Sequence, residues 1–210
     1  EIRAAFDFGE WHDTRDGIAL DYGGKHIQKL LDGRVTLNQA NFIRATEVSP
    51  VPKWRALTPD AELAPSEKTE LKSGGGCLHW LVGQSRPDLA AGTSLNMGGS
   101  PTVRNLQEIN KLIREAKASQ DWSLTFVKID FAKACLPEFS DSSWANAEDL
   151  KSQSGFMTFL ADRAVFTEPG GPASLMDWRS HRIRRKCRST LAAETMGMDT
   201  GLDSAMFARE

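Results

Sequence analysis

The spacing of apolar positions changes twice along the chain, and each change marks a different kind of element. Up to residue 48 the pattern is strand-like. Residues 18–31 form a candidate strand region interrupted by Gly23-Gly24. Asp32-Gly33 then supplies the positive φ of a tight hairpin, and Arg34-Val35-Thr36-Leu37-Asn38 alternates polar and apolar as a half-buried return strand does. Residues 39–46, with Phe42 and Ile43, predict a short helix. Pro50, Pro52, Pro59 and Pro65 mark 49–70 as a loop or linker, because proline lacks the amide hydrogen and fixes φ. Leu78, Leu81 and Val82 make a short apolar stripe after Gly74-Gly75-Gly76, which reads as a mobile stretch. A second helix is expected from Pro87 toward Leu95, stopped by Gly98-Gly99. Ser100-Pro101-Thr102 opens a third, with Ser as cap. Its Val103, Leu106, Ile109, Leu112, Ile113 and Ala116 recur every three or four residues on one amphipathic face.

From Asp121 the period becomes two. Strands are predicted around Leu124–Ile129, over Phe139–Ala145, over Gly155–Leu160 and over Ala173–Trp178, with a turn at Pro169-Gly170-Gly171-Pro172. A helix follows over Leu191–Phe207, with Leu191, Met198, Leu202 and Ala205 roughly on one side and Gly197 and Gly201 weakening it. Strands followed by a helix predict an α+β or α/β layer. The proline-rich boundary divides the chain into 1–48, the linker 49–70, the helices of 71–120 and the sheet-and-helix region of 121–210.

Composition narrows the partners. Forty per cent apolar residues support a core, and the net charge of −2 gives no global attraction to nucleic acid. Any such binding must be local. Cys77, Cys135 and Cys187 are widely spaced, with no zinc-ligand pattern, as in a reducing compartment. No apolar run reaches membrane-spanning length, so no membrane partner is expected. The chain opens on Glu1 rather than Met, as a fragment or processed piece would.

Three features can carry chemistry. Asp141 stands on a predicted strand among Ser140, Ser142 and Ser143, which leave room for an ion and a phosphate; alternatively it caps a strand end. Glu194 stands in the first turns of the last helix, where it is either a ligand or a simple complement to the helix dipole. Two carboxylates brought together repel, and a divalent cation relieves the repulsion; Mg²⁺ takes such oxygen ligands. Arg179, Arg182, Arg184, Arg185, Lys186 and Arg188 place six cations within ten residues. They read as a phosphate-binding patch or as a basic strand edge that discourages aggregation.

These segments resemble the pol polyprotein of copia-type retrotransposons. Asp21-Tyr22-Gly23-Gly24 through Ile27, followed by Val35–Gln39, resembles the hairpin that closes the reverse-transcriptase palm, with Gly23 where the family usually has Cys. Residues 78–89, containing Arg86-Pro87-Asp88, resemble the thumb helix. Phe139-Ser140-Asp141-Ser142-Ser143-Trp144-Ala145, Lys151–Phe156 and Arg188–Glu194 resemble the opening strand, the next strand and the acidic helix of an RNase-H-like domain. The resemblance implies a palm-end hairpin and thumb helices followed by a truncated RNase-H-like mixed sheet with one helix. It implies a parent that copies RNA into DNA and cuts RNA in RNA–DNA hybrids. The implied partners are such a hybrid or other nucleic acid and the remainder of the polyprotein. The implied metal is Mg²⁺, with Mn²⁺ as the alternative, held by Asp141 and Glu194 at low occupancy without a third acidic ligand. The chain has no Tyr-x-Asp-Asp strand, so a polymerase centre is expected upstream of Glu1 or lost. The third acidic strand is expected beyond the last helix. Asp199 and Asp203, on the same helix as Glu194, are poor substitutes. A catalytically dead remnant that binds nucleic acid through the 179–188 patch is the alternative.

Overall fold

The structure, a computed structural model, describes residues 19–145, 150–167 and 170–209. Residues 1–18 of the palm-like segment, Asn146, and Pro169 of the expected turn lie outside them. The described residues form a mixed α and β fold with two antiparallel sheets.

The first sheet contains β1 (Leu20–Tyr22), β2 (Lys25–Lys29), β3 (Val35–Asn38) and β4 (Leu124–Phe126), in that order. Gly23 and Gly24, with φ of 56° and 72°, make the two-residue turn between Tyr22 and Lys25, a backbone that side chains resist. Strand β4 joins the first sheet, Leu37 facing Leu124, and not the sheet that carries Asp141. Alternation reports that a segment is a strand but not which partner it pairs with.

The helical layer is built on α1 (Ala40–Ala45), α2 (Lys53–Ala56), α3 (Pro65–Val82), α4 (Ala90–Asn96) and α5 (Val103–Ala118). The predicted face of α5 is the core: Val103, Leu106, Ile109, Ile113 and Ala116 are all buried, against Ile43, Leu63, Leu71, Leu78 and Leu81. Each large aliphatic side chain removed from water there contributes about 2 kcal/mol. The cap of α5 is Thr102 rather than Ser100, and the Asn105 Oδ1 accepts from the Thr102 amide at 2.8 Å. The glycine triplet is not a mobile preface to a helix; it lies inside α3. A Cβ at Gly74 would stand 3.1 Å from Ile109 and one at Gly75 would run into Met97, so these glycines let neighbouring elements approach.

Arg86 closes the layer. It is 2% exposed, and its guanidinium pairs bidentately with Asp88 at 2.9 and 2.7 Å. It also donates to the Ala116 and Ser119 carbonyls, at 3.3 and 3.4 Å, and to the Ser119 hydroxyl at 2.8 Å. A cation is thus set on the carbonyl end of α5, where backbone acceptors lack helical partners. The Arg86-Pro87-Asp88 sequence is therefore a structural clamp.

The second sheet contains β5 (Ala134–Cys135), β6 (Glu138–Ser143), β7 (Gln153–Asp162) and β8 (Ala173–Arg182). Strand β7 is central: β8 pairs along one side, and β5 and β6 pair in tandem along the other. All these pairs are antiparallel, not the mixed arrangement expected. Helix α6 (Thr190–Arg209) packs on β6 and β7. Arg86→Ala is expected to lower unfolding free energy by roughly 3 kcal/mol, because it strands the carbonyls of α5 as well as Asp88. Urea denaturation measures this, and a loss below about 0.5 kcal/mol would remove the clamp from the account.

Candidate functional site

The contact between α6 and the sheet positions every candidate residue. The buried positions of α6 are Ala193, Gly197 and Gly201, four residues apart on one face. A Cβ at Gly197 would run into the Ser142 hydroxyl and stand 2.8 Å from that of Ser154. One at Gly201 would run into the Glu138 carboxylate and stand 3.2 Å from Phe156. The helix lies nearly on the backbone of β6 and β7. The apolar residues grouped on one side of this helix are turned outward: Leu191 is 76% exposed, Met198 59% and Leu202 53%. At the helix start the Ser189 hydroxyl accepts from the Ala192 amide at 3.2 Å.

Successive strand residues point to opposite faces. Since Ser142 points to α6, the neighbouring Asp141 leaves β6 on the other face, with Phe139 before it and Gly155 and Ser180 across the ladder. That face looks toward the helical layer. The Gln153 amide donates to the Ser94 hydroxyl at 2.9 Å, the Trp178 indole donates to the Val82 carbonyl at 2.7 Å, and Arg182 donates to the Leu95 carbonyl at 3.0 Å. Asp141 is exposed there, in a cleft of about 430 Å³ whose walls include Ala90, Leu95, Phe139, Met157 and Trp178.

Glu194 is in the other layer. At 100° per residue it falls on one flank of the Ala193–Gly197–Gly201 seam, while Met196 and Thr200 fall on the opposite flank, beside β8. Glu194 is therefore turned toward the outer edge of β6, half-buried. Among the described residues β6 pairs only with β7, so that edge offers free ladder groups. The two carboxylates flank one open edge from opposite faces of the sheet. Among the described residues no cluster of three His, Cys, Asp or Glu side chains could hold a metal ion.

The strand pleat also divides the basic run. Arg182 turns toward the helical layer, and a Cβ on Gly98 would meet its guanidinium. Arg179 and His181 point to the α6 side, since their ladder partners Phe156 and Ser154 do. Arg184, Arg185, Lys186 and Arg188 follow on the exposed loop. Burial first, then the Arg179 and Arg184 charges, hold the His181 imidazole below the usual histidine range, and its Nδ1 is buried without a hydrogen-bond partner. His181, absent from the sequence candidates as a site residue, becomes conspicuous only once the pleat sets it among arginines.

No protein-family model, no curated protein and no solved structure matches this chain. Among the described residues no helix is long and apolar enough to cross a membrane.

With its folded pKa lowered, His181 favours the native state when neutral. That contribution is complete above the unfolded value near 6.5 and is lost as pH falls through the lower folded value. Urea midpoints are expected to fall more steeply between pH 7 and pH 5 in the native chain than in His181→Asn. Equal slopes would show that the imidazole is not strained by its neighbours.

Proposed function

We propose that this chain is a segment of a copia-type pol polyprotein, comprising the end of a palm, thumb-like helices and the first half of an RNase-H-like domain. The parent activity is RNA-templated DNA synthesis together with Mg²⁺-dependent cleavage of RNA in RNA–DNA hybrids. One observation supports this best. An antiparallel meander, β6-β7-β8, is followed by a helix that returns across its first two strands and leaves the outer edge of β6 open. An acid stands in the middle of that first strand and another on the helix flank above that edge. A further strand laid along β6 would complete the layer and is where a third carboxylate would be delivered. Asp141 and Glu194 would supply oxygen ligands to the cation, but on opposite faces they are not by themselves a finished cradle.

The second reading is a non-catalytic remnant that binds nucleic acid. It is favoured by the opposite facing of the two acids and by the exposed cations of residues 179–188. The two readings separate in one assay on a labelled RNA–DNA hybrid with Mg²⁺. Cleavage abolished by Asp141→Asn and by Glu194→Gln establishes the metal pair; binding without cleavage selects the remnant. In either case the 210 residues are expected to incorporate no nucleotides on a primed template, since they contain no adjacent Asp pair. Template-dependent incorporation would contradict the assignment of 1–48 as the end of a palm.

A further inference from the structure

The flank of α6 opposite Glu194 closes a second cleft, of about 400 Å³, against the end of β8. One wall holds Arg179 and His181 of β8 with Arg184 and Arg185 of the loop after it; the α6 wall holds Met196, Asp199 and Thr200. The other arginines that meet carboxylates here are paired: Arg34 with Asp32, Arg55 with Glu67, Arg86 with Asp88 and Arg104 with Asp60. Arg179, Arg184 and Arg185 make no ion pair with any described residue. Three unpaired guanidiniums in one concavity make a local positive patch on a chain whose net charge is only −2. The Thr200 hydroxyl donates to the Met196 carbonyl at 2.9 Å, so the donors free to meet a ligand are the arginines and His181.

We propose that this cleft is a binding site for a phosphate group of a nucleic-acid backbone, held by Arg179, Arg184 and Arg185 with His181 as a fourth donor. The proposal rests on the nucleic-acid reading above and not on the nuclease. Guanidinium forks match phosphate oxygens, and each such bond is charge-assisted. The groups facing His181 are Arg179, Arg184 and Arg185 from its own strand and the loop after it, Asp199 from α6, and the uncharged Ser154 from β7. A bound phosphate offsets the cations that disfavour the imidazolium, so the ligand and a proton on His181 help one another. Asp199 opposes the anion. Arg182, though within the basic run, is committed to the Leu95 carbonyl and is not part of the site.

The test follows the imidazole signals of the full chain by NMR. The four histidines are His12, His26, His79 and His181, and His181→Asn assigns the one that matters. The probes are inorganic phosphate and a single-stranded oligodeoxythymidylate of about twelve nucleotides. Both are expected to raise the titration midpoint of His181, the oligonucleotide at far lower concentration. Arg184→Ala and Arg185→Ala are each expected to weaken oligonucleotide binding about tenfold, and Asp199→Asn to strengthen it. Neutralising this one phosphate predicts a log–log salt slope of about −0.7 for the single strand. Circular dichroism checks that the variants fold. An unmoved His181 with either probe, or oligonucleotide binding indifferent to both arginine variants, would overturn the proposal. Binding of inorganic phosphate without the oligonucleotide would overturn the nucleic-acid source. Hybrid cleavage is read separately, so its failure leaves this result standing.

Discussion

Helix α6 lies on β6 and β7 through three positions that carry almost no side chain, and both candidate sites depend on that approach. Ala193, Gly197 and Gly201 form the seam, and the Ser142 and Ser154 hydroxyls and the Glu138 carboxylate occupy the space that larger side chains would take. The helix gives up about 1 kcal/mol of intrinsic propensity at each glycine. The close contact offsets that cost with dispersion over a long seam. Ser204 and Asp177 hydrogen-bond at the far end, fixing the helix against β8 as well. Once the seam is set, the helical repeat decides the rest: Glu194 on the flank above the open strand, Met196 and Thr200 on the flank beside the arginines.

The sheet between them separates two environments. Its α6 face carries Ser142, Ser154, Thr158 and His181, a largely polar underside. Its other face is tied to the helical layer by hydrogen bonds from Gln153, Trp178 and Arg182. Arg86 does the same kind of work within the helical layer, joining the start of α4 to the end of α5. Basic residues in this chain therefore have two roles that charge alone does not separate. Arg86 and Arg182 satisfy backbone carbonyls inside the molecule, while Arg179, Arg184 and Arg185 remain available to an outside anion.

Where local chemistry and tertiary packing agree, the sequence was readable. The positive-φ turn at Asp32-Gly33 and the amphipathic face of α5 were visible as short-range patterns, whereas Gly23-Gly24 read only as a break within one strand region. Elsewhere they diverge. Gly74-Gly75-Gly76 resembles a break, yet it lies in a continuous helix because Ile109, Ile113 and Met97 occupy the missing volume. The apolar residues of α6 suggest an inward face, yet the small ones are inward, since close approach to a strand excludes bulk. Pairing of β3 with β4 spans most of the first sheet's sequence and leaves no local trace. Asp141 and Glu194 were legible as candidates by residue type and order. Their facing was not, because it turns on which parity of β6 meets α6.

The glycine seam is tested most directly by nuclear Overhauser contacts in the native chain. The account predicts cross-peaks from the Gly197 α-protons to the β-protons of Ser142 and Ser154, and none from Met198 or Leu202 to any residue of β6 or β7. Contacts from Met198 and Leu202 to those strands, with Gly197 silent, would contradict it and would turn both flanks of α6 away from the sites described.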